Sequence, residues 1–214
     1  MKRCIIFCAG GFDRMALPAG AEDLIIAADG GLTHARAAGV TPGLVLGDFD
    51  SLGHIPVGAE VYPVEKDDTD AMLAVRRALA LGCDRFELYG ALDGDRVDHT
   101  MANFQLLSFL AEHGASGVLV GLRQCATVVR CGALRFDPAC RGTVSVFSMG
   151  GQAEGVTLRG LYYPLEDGTL SGSVPLGVSN HFTGRSATIR VRQGTLLVIW
   201  DRQHSPAPFP EIIG

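Results

Sequence analysis

The five residues Gly47-Asp48-Phe49-Asp50-Ser51 follow directly on the apolar run Leu44-Val45-Leu46. An apolar run that ends in two carboxylates reads as a buried strand delivering acids to its C-terminal edge. In an open α/β sheet that edge is where ligands bind. Two carboxylates held a few Å apart repel by roughly 4 kcal/mol at an effective dielectric near 20. A divalent cation or a shared proton relieves the crowding, and the cation is the simpler supplier. Taken alone, the stretch is equally well a polar turn with Asp and Ser as ordinary turn formers.

The pattern recurs, and recurrence decides against a turn. Ala28-Asp29-Gly30-Gly31 follows Leu24-Ile25-Ile26-Ala27, Asp67-Asp68-Thr69-Asp70 opens a helical pattern, and Asp93-Gly94-Asp95-Arg96-Val97-Asp98-His99 follows Phe86-Glu87-Leu88-Tyr89-Gly90. Acids at four strand–helix junctions in one half of a chain point to one metal-dependent site, hence to an enzyme.

That half alternates. Apolar runs at 4–8, 24–28, 44–46, 61–64, 86–89 and 118–120 read as short buried strands. Helical patterns cover 31–38, 69–81 (Met72, Val75 and Leu79 on one face) and 98–112 (Leu106, Leu107, Leu110), and reach Gly39, Gly82 and Gly114 in turn. Glycine just past a periodic run is a helix stop. Alternation of this kind implies a mostly parallel sheet covered by helices. After about residue 122 the pattern changes to short β-type runs, Thr127–Val129, Leu134–Phe136, Thr143–Phe147, Val156–Leu158, Ala187–Val191 and Leu196–Trp200, separated by Gly-rich turns. Closely spaced strands suggest an antiparallel sandwich or barrel. The expected architecture is an α/β N-terminal domain over residues 1–124 and an all-β, sandwich-like C-terminal domain over 125–214. The tail from Ser205, with Pro206, Pro208 and Pro210, is expected to be irregular.

Composition narrows the function class. A net charge of −5 over 214 residues argues against nucleic acid, whose recognition needs a basic surface. No segment has the apolar length to cross a bilayer. The start resembles a short signal peptide only superficially, because Cys4–Ala9 is brief and Gly10-Gly11-Phe12-Asp13 reads as the loop after a first strand. The six cysteines lack paired Cys-x-x-Cys spacing, which argues against zinc and for reduced structural thiols in a cytoplasmic protein.

Several residues carry two readings each. Asp29 is either a helix cap, or the acid before two glycines whose N–H groups approach a phosphate. Asp68 or Thr69 serves as the next N-cap, and Asp70 reads as a ligand to metal or phosphate. Lys66 holds phosphate or merely balances local charge. Arg96 is suited to bidentate phosphate contact. Asp98 caps the helix, orients Arg96 or joins the metal site. Asn103 faces roughly the same way as Asp98, or is a buried amide satisfying a loop. His99 reads as a surface or capping residue. In the β half, Ser179 and Asn180 lie in Gly177–Phe182, whose spacing by itself favours a simple loop, and Trp200 reads as core.

In that order and spacing, Asp29-Gly30-Gly31, Gly47–Ser51, Lys66–Asp70, Arg96-x-Asp98-His99 with Asn103, and the late Ser179-Asn180 closely resemble the thiamine pyrophosphokinase family. The resemblance covers nearly the whole chain. One departure is Asp95, which stands where the family often has the second glycine of Gly-Gly-Arg. The resemblance implies an α/β domain, a β-sandwich and a homodimer with active sites between subunits. It also implies transfer of the pyrophosphoryl group of ATP to the hydroxyl of thiamine, giving thiamine diphosphate and AMP. On that footing Asp48, Asp50 and Asp70 would hold Mg²⁺ on the ATP phosphates with Asp29 nearby, and Asp48 would accept the alcohol proton. Arg96 would stabilise phosphate charge, with Gly30, Gly31, Lys66, Asp98 and Asn103 around the nucleotide. Ser179 and Asn180 would bind the aminopyrimidine. Two rivals remain at this level: a haloacid-dehalogenase-type phosphatase, in which Leu52 stands where Thr or Val is expected, and a non-catalytic sensor of nucleotide or thiamine.

Overall fold

The computed structural model describes residues 2–13, 19–50, 53–65, 67–202 and 209–213. The chain divides into two compact units, Met1–Leu106 with Leu119–Leu122, and Leu107–Val118 with Arg123–Gly214. All six cysteines are free thiols, and all but Cys131 are buried.

In the first unit, β1 (Arg3–Phe7), β2 (Leu24–Ala28), β3 (Leu44–Gly47), β4 (Glu60–Val61) and β5 (Arg85–Tyr89) pair in parallel in the order β4-β3-β2-β1-β5. The apolar runs predict β1, β2, β3 and β5 because strands covered on both faces have no polar side to alternate with. Cys4, Ile5, Ile6 and Phe7 are accordingly all buried. The expectation of a buried strand over 61–64 fails. β4 is a two-residue edge strand in which Val61 is exposed, as is Val64 beyond it, and Pro63 lacks the N–H needed to extend the ladder.

Among the described residues, three helices alternate with these strands: α1 (Gly31–Ala37), α2 (Asp70–Ala80) and α3 (Val97–Glu112). Gly39 and Gly82 stand one residue past the caps of α1 and α2 with φ of 72° and 82°, as their stop signals predict. The buried face of α2 is Ala74, Val75 and Ala78 rather than Met72, Val75 and Leu79. Two alanines let the helix lie close on β1, β2 and β3. The strand order turns back at β1: the chain runs outward through β2, β3 and β4, then returns to pair β5 on the other side of β1. That reversal opens a crevice at the C-terminal ends of β1 and β5.

After β6 (Ser116–Val120) come β7 (Gln124–Arg130), β8 (Ala133–Phe136), β9 (Thr143–Arg159), β10 (Leu165–Ser171), β11 (Gly177–His181), β12 (Ala187–Arg190), β13 (Gln193–Asp201) and β14 (Glu211–Ile213). From β7 onward the pairing is antiparallel, in the order β14-β8-β12-β9-β13-β7, with β10 and β11 also on β9. The all-β reading of this region holds for the described residues. Phe136, Val144, Val146, Ile189, Leu196 and Val198 build the core, and Trp200 packs edge-on against Phe136 at 5.4 Å.

Three details differ from expectation. The runs 143–147 and 156–158 are one 17-residue strand, β9, because Gly150, Gly151 and Gly155 bend it without ending it. β10 and β11 are strands too polar for their pattern to show. The tail is irregular only in part, since β14 pairs with β8.

Candidate active site

The site grows from the ends of β2 and β3. Their register sets Ala28 beside Leu46, so Asp29 and Gly47 leave the sheet at one level, and the Asp29 N–H donates to the Leu46 carbonyl at 2.8 Å. A Cβ on Gly47 would lie 3.1 Å from the Asp29 nitrogen and Cα, and Gly47 holds φ 150°. Only glycine allows that approach without displacement. Next comes Phe49, buried at 3 % exposure and held at φ 59°. A bulky residue in the left-handed region is strained, and burial of its ring keeps it there. Half-buried Asp48 and exposed Asp50 flank it, with the Asp50 N–H donating to Asp48 Oδ1 at 3.3 Å.

This turn brings one carboxylate oxygen each from Asp29, Asp48 and Asp50 within 4.8 Å of one another. All three donors are oxygens, and Asp50 leaves the trio open to solvent. Such a donor set fits a hard divalent cation that keeps positions for water or phosphate, as Mg²⁺ does. The trio differs from the expected one in a single member. Asp29 completes it, while Asp70 lies on the wall of the adjoining cavity.

That cavity, of ≈ 470 Å³, lies where the strand order reverses. Its walls come from the loops after β1, β2 and β5 and from the first turns of α2 and α3. Thr69 caps α2, its hydroxyl accepting the Met72 N–H at 3.2 Å, and this places Asp70 at the first helical position. Burial, and secondly the charge of Asp70, push the Cys8 thiol up to about 12, so Cys8 is a neutral wall beside that carboxylate. Asp68 is engaged elsewhere, in an ion pair with Arg76 at 2.9 Å.

On the α3 side, Arg96 donates through Nε to Asp98 Oδ1 at 3.1 Å and through Nη2 to Oδ2. The hydrogen bond from Arg96 holds the Asp98 carboxyl near 2, and the same bond raises Arg96. Of its three candidate roles, Asp98 takes that of orienting Arg96, and it stands outside the carboxylate trio. Asn103 is buried and donates to the Ala91 carbonyl at 2.7 Å, so it secures the β5–α3 loop as well as lining the cavity. Gly30 is the N-cap residue of α1, and a Cβ on Gly31 would collide with the Phe7 carbonyl, so packing against β1 explains the second glycine. Lys66 and Ser51 lie outside the described residues. The cavity also takes in His99, read from the sequence as a surface or capping residue, and Cys8, Gly10, Gly90 and Thr100, which the motifs do not single out. Gly10-Gly11 directly after the first strand is the available signal.

In the second unit, Ser179 is exposed at φ 59° and its N–H donates to Ser145 Oγ at 3.1 Å. Asn180 is buried. Its Oδ1 accepts from the Tyr163 N–H at 2.9 Å and the His181 N–H at 2.8 Å, and its Nδ2 donates to the Tyr163 carbonyl at 2.7 Å. The amide thus clamps residue 163 and keeps at most one N–H for a ligand.

Comparison with known proteins gives two consecutive matches. Residues 19–118 match the family model of the thiamin pyrophosphokinase catalytic domain, and 134–196 match that of the thiamin pyrophosphokinase vitamin B1 binding domain. The chain belongs to the thiamine pyrophosphokinase family. A thiamine pyrophosphokinase of Bacillus subtilis (strain 168) is 26% identical over 185 residues, which are 82% of this chain and 86% of that one. A thiamin pyrophosphokinase structure from Geobacillus thermodenitrificans superposes with a TM-score of 0.75 at 28% identity, covering 96% of this chain and 99% of the other. The crystal structure of a Bacillus subtilis thiamine pyrophosphokinase shares the fold, with a TM-score of 0.80 at 23% identity over 95% of this chain and 100% of that one. For this family member, the carboxylate trio and the cavity both fall largely within the residues matching the catalytic model, and Ser179 and Asn180 within those matching the vitamin-binding one.

Proposed function

We infer that the chain catalyses transfer of the pyrophosphoryl group of ATP to the hydroxyl of thiamine, giving thiamine diphosphate and AMP. The observation that carries this reading is the carboxylate trio beside the crevice at the sheet's point of reversal, inside the region that matches the family's catalytic domain. The comparisons support the activity; the assignment of residues below is our own.

Asp29, Asp48 and Asp50 would hold Mg²⁺ on the ATP phosphates. The bound ion supplies charge neutralisation to the transferring group. Asp70 faces the same cavity as a further acid for metal-bound water or a second carboxylate contact. Arg96, pre-aimed by Asp98, neutralises phosphate charge at the cavity wall. A primary alcohol is a weak nucleophile, and Asp48 is the group assigned to take its proton. Gly30, Gly31 and Lys66 complete the phosphate surroundings in this proposal, and Asn103 keeps the β5–α3 loop in place. Thiamine binding falls to the second domain, taken as 125–214 and sandwich-like, with the Ser179 hydroxyl and the one spare N–H of Asn180 as partners for the aminopyrimidine. The ATP- and metal-binding domain is taken as 1–124. A homodimer and a cytoplasmic location belong to the same reading. No helix among the described residues is long and apolar enough to cross a membrane.

The test is direct. Purified protein with ATP, Mg²⁺ and thiamine is expected to form AMP and thiamine diphosphate in equal amounts. ADP or free phosphate as the nucleotide-derived product overturns the reading. Sedimentation of the same preparation tests the dimer.

A further inference from the structure

Opposed residues of antiparallel strands point to one face of a sheet, so the register of β14, β8, β12 and β9 sets their outward side chains in rows. One row runs Glu211, Arg135, Thr188, Arg159. Both its arginines are paired, Arg135 with Glu211 of β14 at 3.1 Å and Arg159 with Glu166 of β10 at 2.7 Å. The next row runs Ile213, Ala133, Arg190, Thr157 and contains no acid. Arg190 is exposed, and among the described residues its guanidinium has no ion pair and no hydrogen bond. The two rows border a cavity of ≈ 350 Å³ that lies wholly within the second unit. It exists because the outward positions beside the arginines are small: Ala133, Thr157 and Thr188 leave open what longer side chains would fill.

We propose that this groove binds the phosphate group of a small anion, held by Arg190 with the hydroxyls of Thr157 and Thr188. None of its residues belongs to the carboxylate trio or its cavity, and the groove does not depend on the transferase reading. Three observations favour this occupant. A guanidinium presents parallel N–H groups that match two oxygens of a phosphate, and that of Arg190 is uncommitted. The Thr188 hydroxyl is equally uncommitted, and Thr157 only accepts the Asp167 N–H at 3.3 Å, so both keep a proton to donate. Three arginines against two glutamates leave this face one positive charge, on a chain whose net charge is −5. The volume exceeds what the phosphate alone needs, so a phosphate ester fits as well as the free ion.

The experiment is calorimetric titration of the full-length protein, without Mg²⁺, with inorganic phosphate, with AMP as a phosphate ester, and with acetate. Wild type is compared with Arg190→Gln, Arg190→Lys and Thr188→Val. Arg190→Gln is expected to weaken phosphate binding about tenfold and Thr188→Val about threefold. Arg190→Lys, which keeps the charge without the fork, should fall between Gln and wild type. AMP bound more tightly than phosphate, with the excess lost in Arg190→Gln, names the ester as the source; equal affinities name the free ion. Turnover of ATP and thiamine should keep its kcat and both KM values in Arg190→Gln, which separates the groove from the carboxylate site. Unaltered phosphate affinity in folded Arg190→Gln overturns the proposal. Acetate bound as tightly as phosphate overturns the phosphate class. A change in sedimentation of Arg190→Gln with unaltered phosphate affinity also overturns it, because the face then meets a second copy of the chain.

Discussion

The strand-end loops of the first unit and the Asn180 clamp of the second solve one problem by opposite means. Each holds polar groups in fixed positions. In the first, positioning is done by backbone: Gly47 lets two loops touch, Phe49 bears a left-handed φ, and three carboxylates gather although they repel. In the second, positioning is done by a side chain: one amide satisfies itself on the backbone it holds. The first arrangement carries stored electrostatic cost that a cation releases, and the second is complete without ligand. Binding of metal should therefore stabilise the first region markedly, while the second should be stable alone.

The largest expected effect is at the acid trio. Asp48→Asn should lower turnover by roughly 10²–10⁴-fold, because it removes both a charge on the metal and the proton acceptor. Thermal unfolding without metal should show no loss of stability, since one of three crowded charges is gone. Mg²⁺ should raise the melting temperature of wild type more than that of the variant. An Asp48→Asn protein that turns over normally would remove Asp48 from the chemistry and leave the trio as a structural accident.

Next is Gly31→Ala. The added methyl meets the Phe7 carbonyl, so β1 or α1 must shift, and overpacking of this kind costs about 3 kcal/mol. Denaturant unfolding measures it. Asn180→Ala should cost less, about 2 kcal/mol, because it leaves Tyr163 backbone groups without their partners but introduces no collision. Asn180→Asp tests the same clamp, since it keeps the acceptor and loses the donor to the Tyr163 carbonyl. If Gly31→Ala proves harmless while Asn180→Ala is severe, the contrast between backbone-built and side-chain-built sites is reversed.

The difference also governs what is legible in the sequence. A backbone-built site leaves local marks: acids directly after apolar runs, glycines beside them, a Thr-Asp at a helix start. Such marks are enough to gather Asp29, Asp48, Asp50 and Asp70 around one crevice. They do not say which three acids meet, because that depends on β2 and β3 being register-matched neighbours, a long-range fact. The Asn180 clamp leaves no such mark, because Asn180 and Tyr163 stand 17 residues apart in the chain and β10 and β11 are polar strands whose existence depends on pairing with β9. β9 itself reads as two separate runs, because glycines that bend a strand and glycines that end one look the same locally.

The smallest expected effect concerns Arg96 and Asp98, where stability and function separate. The pair is well exposed, so its contribution to folding is screened by solvent. Asp98 has a carboxyl depressed toward about 2 by Arg96, so whatever it contributes is present above the ordinary carboxylate range and is lost as pH falls through about 2. Wild type and Asp98→Asn should therefore unfold indistinguishably near neutral pH and differ no more in 1 M salt. Function should respond where stability does not. An asparagine accepts from Arg96 through one oxygen instead of two, so the guanidinium loses its fixed direction at the cavity wall. KM for ATP should rise about threefold, an amount fitting one weakened charge-assisted hydrogen bond, with KM for thiamine unchanged. A fall in KM for ATP would mean that Asp98 competes with phosphate for Arg96 rather than aiming it. A matching rise in both KM values would place the pair on the path of both substrates.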